Sequence, residues 1–138
     1  MSRPYRRTLL TLDLKDDAAA IAAYRAYHAN AWPEVLKSLR RVGVRELDIY
    51  ALGRRLVMVL ETEKGFDADR DFARHSASDP RCAEWEALMK TFQTPPPGAP
   101  PGRLWTEMEP IFSLSRQLDA LGRRRPGKRA RRKGKARA

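Results

Sequence analysis

The chain is poor in the residues that form disulfides and metal centres. Its 138 residues include one cysteine, Cys82, and two histidines. A single cysteine excludes an intrachain disulfide and a metal site built from several cysteines. Long apolar runs are also missing, since no uninterrupted stretch approaches the roughly 20 residues of a membrane-spanning helix. The start, M-S-R-P-Y-R-R-T-L-L, lacks the apolar segment of a signal peptide, so we expect a cytoplasmic protein with no membrane contact.

Acidic residues are nearly absent from the C-terminal end. Residues 116–138 contain eleven Lys and Arg but one acidic residue, Asp119, and so carry almost all of the net charge of +11. This stretch has no apolar periodicity, which predicts a disordered basic tail. Such a tail is either a solvated extension without a partner or a site of non-specific, salt-sensitive attraction to a polyanion. Residues 1–115 are close to neutral and form the predicted folded domain.

The apolar pattern of the folded part predicts an α+β domain. The predicted elements are a strand at 6–14, a helix from an Asp16 or Asp17 cap to about Asn30, a second helical segment from Pro33 to Gly43, a hairpin of two strands around Gly53, helices at 67–77 and 80–92, and a strand at 103–109. The order β-α-β-β-α-β is typical of a ferredoxin-like fold, an antiparallel sheet with helices on one face. The second hairpin strand is apolar almost throughout, so we expect it to be buried on both faces. The other sheet face would stay bare and partly apolar, which predicts a two-fold homodimer.

The stretch Y-R-A-Y-H-A-N-A-W-P-E-V-L carries the most informative spacing. Tyr24, His28 and Trp32 follow one another at intervals of four, so a helix would hold them near one face. Pro33 lacks an N–H group and crowds the carbonyl of Ala29, so the helix should end just after His28. The imidazole would then lie beside unpaired carbonyls, which favour its protonated form. We interpret His28 and Tyr24 as an acid–base pair that faces a small substrate; ordinary core packing is the alternative.

Two other chemistry-bearing side chains have no comparable setting. His75 lies in F-A-R-H-S-A-S-D-P, among charged and small residues, and is predicted to be at the surface. Cys82 is predicted to be an ordinary small helix residue, since the sequence shows no partner that would activate it as a nucleophile.

The stretch around His28 and the strands after it resemble the L-rhamnose mutarotase family. The resemblance covers roughly residues 5–115. It rests on the motif Y-x-x-x-H-x-x-x-W-P-E at 24–34, a glycine at 43, and D-I-Y at 48–50 with the strand at 55–61 that follows. Within that family, D-L-K-D-D, R-x-L-D-I-Y, L-V-M-V-L-E-T and W-E-A-L-M are similar to the branch described as L-fucose mutarotases.

The resemblance implies a cofactor-free enzyme that interconverts the α and β anomers of a free 6-deoxy-L-hexose. It also implies a dimeric α+β barrel, His28 as the proton donor and Tyr24 as a sugar contact. Two positions depart from the rhamnose-type pattern. Leu47 replaces a tyrosine on a strand, and Glu86 follows Trp85 where that pattern has a second tryptophan. These departures weaken the expectation that L-rhamnose is the substrate without weakening that of anomer exchange itself.

Anomer exchange needs one proton delivered to the ring oxygen and another removed from the anomeric hydroxyl. His28 is the best candidate acid because the unperturbed pKa of a histidine is nearest to neutrality. The base is left open among Tyr24, Asp48, Tyr50, Glu86 and a bound water. The predicted sugar-binding residues are Tyr24, Tyr50, Trp85, Glu86 and Trp32, with Trp105 as an alternative to Trp85 for stacking on the sugar.

Two other functions remain open at the level of sequence. The same barrel could belong to a different cofactor-free enzyme, such as a small monooxygenase, because a fold does not determine a function. Alternatively, a polyanion-binding protein would act through residues 116–138. Deleting them would abolish nucleic-acid retention in that case and would leave anomer exchange intact in a mutarotase.

Overall fold

The predicted strands and helices follow one another in the expected order, and the structure adds a short strand at Gln93–Thr94 and a helix at Leu114–Arg124 that the sequence analysis did not predict. In the computed structural model, which describes residues 5–124, the elements are β1 (Tyr5–Leu14), α1 (Ala18–Ala29), α2 (Pro33–Arg41), β2 (Val44–Leu52), β3 (Arg55–Glu63), α3 (Ala68–Ser78), α4 (Pro80–Lys90), β4 (Gln93–Thr94), β5 (Thr106–Glu107) and α5 (Leu114–Arg124). The ferredoxin-like α+β fold is confirmed, although the predicted last strand is reduced to the short β5. None of the helices within residues 5–124 is long and apolar enough to cross a membrane.

The sheet is antiparallel, with the strand order β2-β3-β1-β4 and with β5 also paired to β1. In its centre, Leu12 of β1 lies opposite Leu56 of β3. Along β3, Leu56, Met58 and Leu60 are buried, whereas the residues that alternate with them are half-buried. Within one chain only one face of this strand is buried, because the helical side chains pack on the face that carries Leu56 and Met58, and burial of its other face stays a prediction.

Two local signals place His28 in the last turn of α1. Asp17 caps the start of this helix by accepting a hydrogen bond from the Ala19 amide. The helix ends at Ala29, and Pro33 then opens α2 at the first helical position, where a missing N–H group leaves no hydrogen bond unmade. The predicted break after His28 is confirmed.

The core between helices and sheet lies directly under α1. Tyr24 is 3% exposed and packs with apolar side chains of β1, β3 and α4, namely Leu12, Leu14, Leu56 and Met89. A second buried cluster, beneath α2 and α3, contains Val42, Val44, Met58, Leu60 and Phe66. Because Tyr24 belongs to the first cluster, burial of apolar surface holds the His28 turn of α1 against the sheet.

Asp71 anchors α3 from the inside. This carboxylate is almost fully buried and accepts hydrogen bonds from Arg70, Arg74 and the Asp67 amide. These contacts, with the Arg70 guanidinium the largest cause, hold the pKa of Asp71 well below its usual range. The ionised carboxylate thus ties the first turn of α3 together and fixes where the rest of that helix runs.

The helix α5 belongs to a second unit of the chain, which begins at Glu109. Its leucines, Leu114, Leu118 and Leu121, recur at helical spacing. The part of the predicted disordered tail that precedes residue 125 is therefore helical. Residues 125–138 lie outside the described residues, and the division of the chain at residue 115 stays a prediction.

Candidate active site

A cavity of about 1280 Å³ lies between the helices and the sheet. Its floor is apolar and is made by side chains of the sheet, including Leu10, Leu47, Ile49 and Met58. Its walls carry Tyr24 and His28 of α1, His75 of α3, and Trp85 and Glu86 of α4. An apolar floor with a few convergent polar groups is typical of a small-molecule site. Within residues 5–124 no group of three or more His, Cys, Asp or Glu side chains is arranged to hold a metal ion.

His28 is held in one orientation by a hydrogen bond and by contacts of its ring with two aromatic side chains. Its Nδ1 lies 3.0 Å from the carbonyl oxygen of Tyr24. Its ring stacks on the ring of Tyr24, with 4.2 Å between centroids, and contacts Trp85 with 5.2 Å between centroids. Because a carbonyl oxygen can only accept, Nδ1 carries the hydrogen of this bond. The neutral imidazole therefore has its lone pair on Nε2.

The charge state of His28 differs from the sequence-based prediction. Burial lowers the pKa of His28 from its ordinary value, and the hydrogen bond to the Tyr24 carbonyl opposes this shift only in part. The expectation that the helix end favours a protonated ring is therefore wrong, because loss of hydration outweighs the carbonyls. At neutral pH the ring is neutral, and its Nε2 is a proton acceptor.

Tyr24 lies beneath this imidazole rather than across the cavity from it. Its ring contacts Phe92 edge-on, with 6.2 Å between centroids, and its hydroxyl oxygen accepts a hydrogen bond from Gln93 at 3.4 Å. Burial raises the pKa of Tyr24, and the Gln93 contact offsets this only in part. The phenol keeps its proton, which removes Tyr24 from the candidate bases and leaves it as the support of His28.

Trp85 forms an aromatic wall together with residues of α1 and the α1–α2 connection. Its ring contacts Tyr27 at 6.3 Å and Trp32 at 5.1 Å between centroids, in addition to His28. The guanidinium of Arg81 stacks on Trp32 at 3.6 Å from the ring centroid. Trp85 lines the cavity, whereas Trp32 packs behind it and does not. Trp32 thus supports the wall instead of contacting a ligand directly.

Glu86 follows Trp85 on α4 and brings a carboxylate to the cavity. One oxygen accepts a hydrogen bond from the Ser76 hydroxyl at 2.6 Å, and the other lies 3.4 Å from the Lys90 amine. The Ser76 bond is the largest cause of a lowered pKa for Glu86, so this carboxylate is ionised. It is a fixed hydrogen-bond acceptor in the wall of the cavity.

Tyr50 and Asp48 lie apart from these groups. Both alternate with Ile49 along β2, and Tyr50 is paired with Val57, so they belong to the opposite face of the sheet from the cavity floor. Tyr50 is 64% exposed. Both residues nevertheless border the cavity, and β2 is the edge strand of the sheet. The structure therefore brings together Tyr24, His28, Trp85 and Glu86, but it does not bring Tyr50 or Asp48 to His28.

His75 is the residue of this site that sequence reasoning missed. The prediction that it lies at the surface is wrong, since it is 9% exposed and its Nδ1 lies 2.8 Å from the Ser38 hydroxyl oxygen. The available signal was its spacing of three from Phe72, which packs against the second core cluster. Cys82 is buried, as an ordinary helix residue would be.

Comparison with known proteins identifies the family. The chain matches the L-rhamnose mutarotase family over residues 7–114. An L-fucose mutarotase from Xanthomonas campestris pv. campestris is 46% identical over 112 residues, which cover 80% of this chain and 89% of that protein. A UPF0734 protein from Dictyostelium discoideum is 33% identical over 113 residues, which cover 80% and 90%.

Solved structures share the fold. The crystal structure of an L-rhamnose mutarotase from Formosa agariphila gives a TM-score of 0.55 at 18% identity, covering 79% of this chain and 98% of that chain. Tetracenomycin F2 cyclase from Streptomyces glaucescens, a type-II polyketide cyclase, gives a TM-score of 0.50 at 20% identity, covering 78% and 95%. At these identities the likeness shows the fold alone.

The cavity and the relatives together define a mutarotase, an isomerase that acts on a sugar. The chain belongs to the L-rhamnose mutarotase family. The family and the enzyme class that the sequence predicts are thus confirmed. The family match ends at the first residue of α5, so that helix and the basic residues after it are additions to the matched domain.

Proposed function

We propose that this chain interconverts the α and β anomers of a free 6-deoxy-L-hexose and that L-fucose is its preferred substrate. One observation carries the proposal: His28 presents an oriented, neutral imidazole to a cavity with an apolar floor. The 46% identity to an L-fucose mutarotase supports L-fucose over L-rhamnose.

The free Nε2 of His28 is suited to remove the proton of the anomeric hydroxyl. As this proton leaves, the bond between C1 and the ring oxygen breaks and C1 becomes an aldehyde carbon. The imidazolium then delivers the proton to the former ring oxygen. Rotation about the C1–C2 bond and the reverse steps close the ring with the other configuration at C1. One histidine thus acts first as base and then as the proton donor, and each positioned transfer contributes on the order of 10²–10⁴ in rate.

The floor and the Glu86 wall fit different parts of such a sugar. Leu47, Ile49 and Leu10 present hydrocarbon to the C–H groups and the methyl group of a 6-deoxy-hexose. Glu86 presents an ionised acceptor to sugar hydroxyls. L-Fucose and L-rhamnose differ in configuration at C2 and C4. The Glu86 carboxylate is a fixed acceptor, and position 47 is a leucine that forms no hydrogen bond, so the cavity distinguishes the two sugars by which of their hydroxyl groups can reach Glu86.

Saturation-transfer NMR on the free sugars tests the proposal. We expect the protein to accelerate exchange between the L-fucose anomers at least tenfold more than exchange between the L-rhamnose anomers. One hydrogen bond gained or lost in the transition state is worth about 1.4 kcal/mol, and this free energy corresponds to a factor of about ten in rate. D-Fucose, the mirror image, is the matched control and should exchange at the uncatalysed rate. Equal acceleration of both L-sugars would reject the preference, and no acceleration of either would reject the proposed reaction.

The uncovered face of the sheet supports a two-fold homodimer. Leu9 and Tyr50 are exposed on this face, and Val57 and Val59 beside them are half-buried. A second copy packed sheet to sheet would remove these side chains from water, and symmetry makes the patch complementary to itself. In that arrangement Tyr50 is an interface residue.

A charge in the centre of this face should separate the two copies. We expect the wild-type protein to sediment as a dimer and Val59→Glu to sediment as a monomer, because each copy would bury an unpaired carboxylate in the interface. Arg25→Glu, on the exposed side of α1, is the control and should remain dimeric. A wild-type monomer, or a Val59→Glu dimer, contradicts the arrangement.

We further propose that the enzyme works in the cytoplasm and that its basic end makes only non-specific contacts with polyanions. Cytoplasmic residence is supported by the single cysteine, Cys82, which is buried and unpaired with any other cysteine. Residues 125–138 hold eight Lys and Arg and no acidic residue, and they contain no aromatic side chain to stack on bases. Attraction through these charges is weakened by salt.

A further inference from the structure

His75 begins and ends a closed set of three hydrogen bonds that joins α2 to α3. Its Nδ1 lies 2.8 Å from the Ser38 hydroxyl oxygen, which lies 2.8 Å from the Ser78 hydroxyl oxygen. The Ser78 hydroxyl lies 2.8 Å from the carbonyl oxygen of His75 itself. His75 and Ser38 are buried, whereas Ser78 is exposed at the end of α3, so the bond between Nδ1 and Ser38 is the one that is shielded from water.

The direction of each hydrogen bond follows from the last one. A carbonyl oxygen can only accept, so the single hydrogen of the Ser78 hydroxyl is donated to His75. The Ser78 oxygen must then accept from Ser38, and the Ser38 oxygen must accept from Nδ1 of His75. Nδ1 therefore carries a hydrogen, and the lone pair of the neutral imidazole is on Nε2, as in His28.

The Nε2 edge of His75 faces the cavity. Ser38, on the Nδ1 side, is 1% exposed and does not line the cavity, whereas His75 does. Within residues 5–124 the structure gives Nε2 no hydrogen-bond partner, although the side chain is nine-tenths buried. A buried acceptor without a partner costs stability, and such groups in a cavity are typically satisfied by a ligand or by water.

The neighbours of Nε2 favour a ligand rich in hydroxyl groups. Glu86 is close enough to raise the pKa of His75, although burial is the larger effect and lowers it overall. The imidazole is therefore neutral beside an ionised carboxylate, and this part of the wall presents two acceptors. The hydroxyl groups of a sugar are donors, and the same wall lies in the cavity that His28 faces.

We propose that His75 is a second sugar-contacting imidazole of this site, whose Nε2 accepts a hydrogen bond from a hydroxyl of the bound sugar away from C1. This inference rests on the proposed mutarotase function and adds to it a residue that fixes the sugar in place. The two histidines of the chain then have different roles: His28 transfers the proton, and His75 positions the substrate.

His75→Asn tests the contact without removing the bonds to α2. The asparagine amide nitrogen can replace Nδ1 as donor to Ser38, but asparagine has no atom at the position of Nε2. We expect the half-saturating L-fucose concentration to rise about tenfold, with the limiting exchange rate changed less than threefold. Ser78→Ala is the matched control, because it breaks the same set of bonds and leaves Nε2 in place, and its half-saturation should stay that of wild type. Equal changes in the two variants would overturn the proposal.

The ring nitrogens give a second readout, in which the response to L-fucose is measured on the wild-type protein itself. With two histidines and no affinity tag, long-range ¹H–¹⁵N spectra show two imidazoles, which His28→Asn and His75→Asn assign. We expect L-fucose to shift the Nε2 resonances of both rings. A shift confined to His28, in protein that accelerates anomer exchange, would overturn the His75 contact alone. No acceleration of exchange by wild type would overturn the proposed function instead, and the His75 contact with it.

Discussion

Replacing His28 by asparagine should lower the catalysed rate of L-fucose anomer exchange by about 10³-fold, the middle of the range for a positioned acid–base group. The asparagine amide can still donate to the Tyr24 carbonyl as Nδ1 does, so the end of α1 should keep its structure. What is lost is Nε2, the only atom of this side chain that can accept and return the substrate proton. Saturation-transfer NMR with wild type and variant at equal concentration measures the difference directly.

The pH dependence of the exchange rate shows whether His28 begins the reaction as a neutral base or as a protonated acid. Burial lowers the pKa of His28, so the neutral ring is the resting form. Exchange catalysed by wild type should therefore rise as pH increases through a value below the ordinary histidine pKa of about 6.5 and stay level above it. A protonated resting acid would give the opposite slope. Arg25→Gln, an exposed position on the same helix, is the control and should keep both the rate and the profile. A His28→Asn variant that retains most of the wild-type rate would contradict the assignment.

The parts of the site that local sequence determines could be predicted. The spacing of Tyr24 and His28 and the proline at 33 are enough to place the imidazole in the last turn of a helix that faces the core, because helix period and proline geometry act over a few residues. The alternation of β2 also places Tyr50 opposite Ile49. Tyr50 nevertheless borders the cavity, and its contact with the sugar stays a prediction.

The charge state of His28 and the position of His75 depend on packing between distant segments. The sign of the His28 pKa shift is set by how far Trp85 and Tyr24 exclude water from the ring, which no pattern near His28 reports. His75 is flanked by polar residues and becomes buried because α2 brings Ser38 to it across 37 positions of the chain. Both features belong to the tertiary structure, and both decide which proton positions are available to the substrate.

Tyr24→Ala should have the largest effect on stability among the residues of the site. The side chain is 3% exposed and contacts both the first core cluster and the His28 ring, so its removal leaves a cavity under α1. Truncating a buried aromatic residue costs about 3–5 kcal/mol of unfolding free energy. Urea unfolding followed by circular dichroism measures this loss. Tyr27→Ala is the matched control, since Tyr27 is 37% exposed on the same helix and should cost less than half as much.

Tyr24→Phe then shows whether Tyr24 only holds the His28 ring in place or also transfers a proton in the reaction. It keeps the ring that stacks on His28 and removes only the hydroxyl that accepts from Gln93, so the unfolding free energy should fall by about 1 kcal/mol. Because burial raises the pKa of Tyr24, we expect its hydroxyl to move no proton in the reaction, and exchange should stay within about threefold of wild type. Loss of exchange as deep as in His28→Asn would show instead that the phenol donates to the ring oxygen. The single-histidine proton transfer would then be wrong, and Tyr24 would be the acid that works opposite a basic His28.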